Sequence, residues 1–227
     1  MRNIQNEALT SYFRQIVASA PKISMTTGTR YFKNDTWFHC AKRHLSLAAA
    51  AHCLEGYNKG TYFVRAGDYN TDINEGTEVK ANIEDYYVHV EFRKGHRMND
   101  DIALVLLKGL GIPLDKDMMP ICLPPENAEY PPGLNCTISG FGSIETRKTS
   151  AISDGMMCAE YLDESTDTCD GDSGGSLTRY HNGAFTLYGI TSWSQHCGNA
   201  NRPGVYVCAA HYRRWIDQKI RESLAGR

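Results

Sequence analysis

The segment that decides the fold is Asp167-Thr-Cys-Asp-Gly-Asp-Ser-Gly-Gly-Ser176. Three glycines in five positions let the backbone turn tightly around the hydroxyl of Ser173 and let another main chain approach it. A serine that attacks a carbonyl creates an oxyanion, and the backbone amides of Gly171 and Ser173 lie on one turn that can stabilise it. Such a serine needs a histidine as base and a carboxylate that orients the histidine. The segment therefore predicts both groups elsewhere in the chain.

Two upstream motifs supply these groups. Ala-Ala-His52-Cys53 offers the base, and Asp100-Asp101 precedes an apolar run, Ile102 to Leu107, that is typical of a buried strand. Pairing the carboxylate of Asp101 with a ring N–H of His52 offsets the cost of burying the charge and leaves the other ring nitrogen to accept a proton. Taken alone, His52 also fits a core histidine, Asp101 a strand-capping residue, and the glycine-rich segment an ordinary turn.

Two further motifs follow, Ser192-Trp-Ser-Gln-His-Cys-Gly198 and Arg202-Pro-Gly-Val-Tyr206. Together the motifs occur in the order histidine, aspartate, serine, and in them the chain resembles the chymotrypsin/trypsin-like serine endopeptidases. The resemblance covers most of Lys22 to Leu224 and implies peptide-bond hydrolysis through an acyl-enzyme. It selects Asp101 over Asp100, because the family's carboxylate directly precedes Ile-Ala.

The resemblance implies an all-β protein of two antiparallel six-stranded β-barrels with the catalytic residues at their junction. The expected segments are a helical or disordered lead over 1–21 and a protease domain over 22–227, with barrel one at about 22–112, barrel two at about 113–208 and a C-terminal α-helix at about 209–224. Between Gly142 and Cys158 the family has more chain, including a strand, so the second barrel is expected to be incomplete. The C-terminal helix is independently predicted by apolar residues at helical spacing, which are Tyr212, Trp215, Ile216, Ile220 and Leu224.

Five residues resemble the family's substrate-binding positions. Asp167 corresponds to the floor of the primary pocket, and a carboxylate buried there prefers a cation, so arginine or lysine should precede the scissile bond. Ser192 is expected to support the orienting aspartate, Trp193 to form a platform for the substrate, Ser194 to edge the pocket and Gly204 to leave its far wall open. The alternative is that Asp167 is a surface residue of an acidic loop.

Asp172 implies a zymogen-like state for the chain as written. In the family, the aspartate at this position pairs with a new N-terminal ammonium that is released by cleavage before an Ile-Val-Gly-Gly-like sequence. The nearest match here is Ile16-Val-Ala-Ser19, which follows Gln15 and not a basic residue. An unpaired Asp172 is expected to turn away and misdirect the amide of Gly171, which would remove an oxyanion donor.

An acidic loop resembles the calcium-binding loop of trypsins. Its carboxylates are Asp68, Glu75 and Glu78, and the resemblance adds the main-chain carbonyls of Asn70 and Ile73. Calcium prefers such hard oxygen ligands on a turn-rich loop. The alternative is an acidic turn exposed to solvent. The proposed reaction itself requires no cofactor, so calcium would be structural.

The eight cysteines are expected to be only partly paired. By resemblance alone, disulfides join Cys40 to Cys53 and Cys169 to Cys197. Cys122 lies where multidomain relatives tether the protease to upstream modules. The cysteines without an evident partner are Cys122, Cys136, Cys158 and Cys208.

Composition limits the classes of partner. The 227 residues are 41% hydrophobic with a net charge of −2, which gives no basic field for nucleic acid, and no apolar stretch is long enough to cross a membrane. Proteins are therefore the expected substrates. The cysteines and the sequons at Asn34 and Asn135 favour secretion into an oxidising compartment. No signal peptide is evident near Met1, so the sequence is interpreted as an excerpt or an incomplete reading frame.

A second class of function stays open. The short second barrel and the cysteines without partners also fit a catalytically inactive, protease-like binding module or a truncated splice product.

Overall fold

A computed structural model describes the chain in a series of stretches. They are residues 16–18, 23–25, 46–56, 58–68, 73–74, 76–95, 97–113, 120–139, 152–159, 172–193 and 204–225. Within them the protein is mostly β-structure, with one α-helix near the C-terminal end. None of the described helices is long and apolar enough to span a membrane.

The first sheet is antiparallel and has six strands. They are β1 (Ile16–Ala18), β2 (Ile23–Met25), β3 (Ser46–Ala49), β4 (Phe63–Ala66), β5 (Val79–Val88) and β6 (Ala103–Leu107). Their spatial order is β2-β1-β4-β5-β6-β3, and the edge strands β2 and β3 contact each other, so the sheet curls toward a barrel. β1 precedes residue 22, so the sheet begins earlier than the expected boundary between lead and barrel.

The second sheet is also antiparallel, and five of its strands are described. They are β7 (Thr137–Ser139), β8 (Met156–Ala159), β9 (Ser176–His181), β10 (Ala184–Trp193) and β11 (Gly204–Cys208). Their spatial order is β7-β9-β10-β11-β8. The long strand β10 lies between β9 and β11. Its register against β9 shifts between Leu187 and Gly189, and its register against β11 shifts between Thr191 and Trp193. The segment between β7 and residue 152, where the sequence is short relative to the family, lies outside the described residues.

The apolar sequence of β6 is continuous because both faces of the strand are buried. Ala103, Val105 and Leu107 face the core of the first sheet. Leu104 points the other way, into a second core. Successive side chains of a strand alternate between faces, so a strand covered on both sides needs an apolar residue at every position.

The second core joins the two sheets to the C-terminal helix, α1 (Arg213–Ala225). Its buried members are Ala48, Ile102, Leu104, Ile121, Leu187, Ile190, Val207, Ala209, Tyr212 and Ile216. The helix begins at Arg213, later than predicted, because residues 209–212 form a turn. Leu224, which the helical spacing assigned to the apolar face, is 37% exposed. The predicted all-β architecture of two antiparallel barrels and a C-terminal helix is confirmed, with the described residues forming two curled antiparallel sheets of six and five strands.

Two cysteine predictions are wrong. Cys53 is a free thiol and so is not paired with Cys40, which lies outside the described residues. The reason is local, since the sulfur of Cys53 points at the ring of His52 instead. Cys122 is disulfide-bonded, although the sequence showed no partner for it. It is buried where the connecting segment runs beside β10, its amide donating to the carbonyl of Phe185 at 2.9 Å.

Two other thiols agree with expectation. Cys136 and Cys208 are free and half-buried, and burial raises the pKa of the Cys136 thiol. The predicted bond between Cys169 and Cys197 lies outside the described residues and stays a prediction.

Candidate active site

The pairing of β3 with β6 brings His52 beside Asp101. The two strands are antiparallel, with Ala49 opposite Ala103. The chain leaves β3 into a single 3-10 turn, Ala51–Cys53, and enters β6 through Asp101, so both residues lie at the same end of the strand pair. The turn is fixed because Ala51 and Leu54 are fully buried and hydrogen-bonded to each other through the backbone at 3.0 Å.

His52 contacts the carboxylate of Asp101 twice. The ring Nδ1 lies 2.7 Å from Oδ2, and the backbone N–H donates to Oδ1 at 2.8 Å. The second contact fixes the carboxylate relative to the main chain of the histidine, and the first fixes the ring. In the neutral ring a carboxylate at Nδ1 keeps the proton there, so Nε2 is the nitrogen that can accept one, as a base requires.

Ser192 completes the surroundings of Asp101 from the second sheet. Its hydroxyl donates to Oδ2 at 2.5 Å, and both residues are 1% exposed. A buried carboxylate is stable only with such hydrogen bonds, and here it receives three. The carboxylate therefore lies at the junction of the two sheets, as the sequence predicted for the site.

Ser173 lies in a tight turn that leads into β9. Gly174, at φ 85°, adopts the left-handed conformation that only glycine accepts readily, and its amide donates to the carbonyl of Thr191 at 2.8 Å. Thr191 in turn donates its amide to Gly175 at 2.8 Å. The turn is thus fastened to β10 next to Ser192, which is how the glycine-rich segment and the buried aspartate come together.

The second ring nitrogen of His52 meets a residue that the sequence did not suggest. Nε2 lies 3.5 Å from the sulfur of Cys53, and that sulfur lies 3.9 Å from the backbone carbonyl of Ser173. In the described part of the chain no hydrogen bond joins Nε2 to the hydroxyl of Ser173. The thiol therefore lies between Nε2 of His52 and the turn that contains Ser173.

The environment of His52 raises its pKa. Burial of the ring lowers the pKa, but the hydrogen bond to Asp101, the contact with Cys53 and the charge of Asp101 together raise it well above the ordinary 6.5. A general base has to be neutral before it accepts a proton. The raised pKa favours the protonated ring, which cannot act as a base.

The predicted substrate-binding residues are only partly described. Trp193 ends β10 opposite Val205, and Gly204 begins β11 and is buried, so both lie beside Ser192. The ring N–H of Trp193 is buried without a hydrogen-bond partner among the described residues. The remaining predicted positions, Asp167, Gly171 and Ser194, lie outside the described residues.

The predicted activation step would join Ile16 to Asp172, but these residues lie in different parts of the fold. Asp172 is 9% exposed, and its carbonyl accepts the amide of Gly175 at 2.8 Å. Ile16–Ala18, the nearest match to the family's cleavage sequence, is strand β1, paired with β2 on one side and β4 on the other. This segment therefore belongs to the first sheet.

The calcium loop is described only in part. Asp68 is 1% exposed; its Oδ2 accepts from the guanidinium of Arg65 at 3.0 Å, whereas its buried Oδ1 has no hydrogen-bond partner among the described residues. An orphaned buried carboxylate oxygen fits a cation ligand, although Arg65 already supplies a positive charge. Glu78 is half-buried and Ile73 is 56% exposed, while Asn70 and Glu75 are not described. The described residues contain no group of three acidic, histidine or cysteine side chains that could hold a metal ion.

The sequence also missed a cluster behind the aspartate. Asp100 was considered only as a rival of its neighbour, but its carboxylate accepts the hydroxyl of Tyr212 at 2.8 Å. Asn99 and His89 lie against the same carboxylate. A doublet of acidic residues before a buried strand was the available signal, since two adjacent carboxylates at a buried edge each need partners.

Comparison with known proteins agrees with the geometry. Residues 45–216 match the family model described as Trypsin. This chain belongs to the trypsin family. The match covers the first sheet from β3 onward, the second sheet and the start of α1. The predicted resemblance is therefore confirmed.

Three curated relatives illustrate the similarity. The chain is 31% identical over 205 residues to the hepatocyte growth factor activator serine protease of Mus musculus, which covers 77% of this chain and 31% of that protein. It is 32% identical over 199 residues to transmembrane protease serine 11A of Homo sapiens, covering 76% and 46%. It is 31% identical over 216 residues to vitamin K-dependent protein C of Oryctolagus cuniculus, covering 81% and 46%. This trypsin-family chain thus spans less than half the length of these relatives.

Proposed function

We propose that this chain is a serine endopeptidase that cleaves after arginine or lysine through an acyl-enzyme. The observation that carries the proposal is the network at Asp101, which holds His52 by two contacts and receives a third hydrogen bond from Ser192. Membership of the trypsin family supports the reaction class. The turn of Ser173 is fastened to the strand that supplies Ser192, which is the arrangement a serine nucleophile beside its base requires.

The proposed reaction assigns one step to each residue. Ser173 attacks the scissile carbonyl while His52 accepts its proton at Nε2, and Asp101 stabilises the imidazolium that forms. The amides of Gly171 and Ser173 stabilise the oxyanion, and His52 then donates its proton to the leaving amine. Before this can occur, Nε2 has to exchange its contact with the thiol of Cys53 for the hydroxyl of Ser173.

Cleavage after basic residues is proposed from Asp167 at the floor of the pocket. Trp193, as platform, and Gly204, as open wall, support this proposal because they lie together at the ends of neighbouring strands. Ser194 would narrow the mouth of the pocket without adding charge. Profiling with a peptide library tests the proposal, and a preference for aromatic or aliphatic residues before the scissile bond would exclude it.

We further propose that the chain as written is zymogen-like. Ile16 would have to become a free N-terminus near Asp172, whereas here its segment is an interior strand of the first sheet. Loss of one oxyanion donor costs about 2.7–4 kcal/mol of transition-state stabilisation, a hundredfold or greater loss of rate. Hydrolysis of an arginine-based ester and amide is compared for the chain beginning at Met1 and for one beginning at Ile16. Full activity of the longer chain would contradict the proposal.

We also propose that the chain is secreted and has protein partners. The exposed sequon at Asn135 is accessible to a glycan. Cys122, proposed from the sequence as a tether to upstream modules, is already disulfide-bonded in this single chain, so any such module would need another attachment.

An inactive, protease-like binding module is the second candidate. The observation in its favour is the contact of Nε2 with Cys53 in place of the hydroxyl of Ser173. A fluorophosphonate probe separates the candidates, because it labels only a serine activated by its base. We expect stoichiometric labelling of Ser173, none in Ser173→Ala, and full labelling in Ser153→Ala, whose buried hydroxyl has no partner among the described residues. Absence of labelling in the folded chain under every activation condition would favour the binding module.

A further inference from the structure

The two adjacent aspartates before β6, Asp100 and Asp101, form an acidic doublet whose side chains face different partners. Asp101 faces His52, whereas Asp100 faces away from it, toward the segment before α1. Asp100 has φ 48°, in the left-handed region, where aspartate is tolerated but strained relative to glycine. Its carbonyl accepts the amide of Ile102 at 2.7 Å across this turn. The conformation of Asp100 thus sets the direction in which Asp101 leaves the turn.

The side chain of Asp100 is held by groups from two parts of the molecule. Tyr212, which is 3% exposed, donates its hydroxyl to Oδ1 at 2.8 Å. Asn99 donates to Oδ2. The Nδ1 of His89 lies 3.7 Å from Oδ1 but accepts the amide of Glu91 at 3.4 Å, so this histidine packs beside the carboxylate and does not donate to it in its neutral form.

Tyr212 has little freedom to move away. Its ring meets His89 edge-on with ring centroids 5.4 Å apart, and the residue belongs to the core that joins the sheets and the helix. Gly155 lies against its hydroxyl so closely that an added Cβ would come within 2.0 Å of the oxygen. Tyr212 is therefore a rigid anchor that the second half of the chain presents to Asp100.

We propose that Asp100 is a positioning residue for the protease reaction, held by Tyr212 so that the turn presents Asp101 to His52. This inference rests on the proposed function. It makes the geometry of His52 depend on correct docking of the second half of the chain, because the anchor of the turn comes from there. A displacement of about 1 Å in catalytic geometry lowers a rate by about a hundredfold, so a modest relaxation of the turn is enough to matter.

Four variants separate the parts of the proposal. Asp100→Gly accepts φ 48° without strain but lacks the carboxylate, and Tyr212→Phe keeps the ring but lacks the hydroxyl. For both we expect kcat to fall about tenfold or more, with KM within about twofold. Asp100→Asn keeps an acceptor for Tyr212 and a residue type that tolerates the left-handed region, so it should stay within about threefold of the parent. Ser223→Ala is the control, since it removes another buried hydroxyl bond, to the carbonyl of Ile220 in α1.

A second readout does not need activity. The proton in the hydrogen bond between His52 and Asp101 gives its own proton NMR signal, which we expect to shift or broaden in Asp100→Gly and Tyr212→Phe and to persist in Asp100→Asn and Ser223→Ala. An unchanged signal in Tyr212→Phe and Asp100→Gly would overturn the positioning role, even if the parent chain failed to label with the fluorophosphonate probe. Parental kcat in folded Asp100→Gly would overturn it equally. Failure of the parent to label would count against the proposed function alone.

Discussion

Replacing Ser192 by alanine tests the network on which the proposed site depends. The change removes a hydroxyl that is 1% exposed and donates to the Asp101 carboxylate at 2.5 Å. A hydrogen bond to a charged group contributes about 1.5–3 kcal/mol, and at this buried position bulk water cannot take the place of the lost donor. For a chain of this length 1 kcal/mol corresponds to about 2–4 °C, so the midpoint of thermal unfolding should fall by roughly 3–12 °C.

The matched control for this prediction is Thr178→Val. Thr178 is also buried, and its hydroxyl donates to a neutral carbonyl, that of Thr137, at 3.3 Å within the same sheet. A neutral hydrogen bond contributes about 0.5–1.5 kcal/mol, so this variant should be less destabilised. The assay is urea unfolding followed by intrinsic fluorescence, with an unchanged m-value as the condition for comparison. Equal loss of unfolding free energy in the two variants would refute the conclusion that Ser192 stabilises a buried charge.

The remaining predictions concern acidity, metal and thiols. Because the contact with Cys53 helps to raise the pKa of His52, Cys53→Ala should lower that pKa and move the acid limb of the kcat/KM profile to lower pH; an unmoved limb would contradict the role of the contact. If calcium binds at Asp68, a concentration of 100 times its Kd should stabilise the chain by about 2.7 kcal/mol and Asp68→Asn should abolish the gain, whereas no gain in the parent would contradict calcium binding. Alkylation of the unreduced, denatured chain followed by peptide mapping should label Cys53, Cys136 and Cys208; a bridge at any of them would contradict the structure.

The sequence predicted the chemical groups of the site because each belongs to a short, ordered motif. The histidine follows one apolar strand and the aspartate precedes another, and antiparallel pairing of these strands is enough to bring the groups together. The continuous apolar run of β6 predicted a buried strand, and the structure shows all of its residues buried. These features are local in the chain or depend on one strand pairing, so they can be predicted from a pattern of residues.

Features that depend on docking between distant segments were not predictable in the same way. The contact between Cys53 and His52 contradicted a pairing that rested on resemblance alone. The bond between Tyr212 and Asp100 joins residues 112 positions apart, and no periodicity connects them. The sequence therefore indicated the candidate catalytic residues more readily than the residues that hold them in place.

The location of the buried aspartate explains why both halves of the chain are needed to hold the proposed catalytic aspartate. The strand pair of the first sheet supplies His52 and Asp101, but two of the hydroxyls that hold the acidic doublet, those of Ser192 and Tyr212, come from the second half. An isolated first half would leave Asp101 with one hydrogen bond fewer and Asp100 without its anchor, and a buried, incompletely paired carboxylate costs several kcal/mol. Docking of the two sheets through Leu104 and its neighbours is thus a condition for holding Asp101 against His52, and not only for stability.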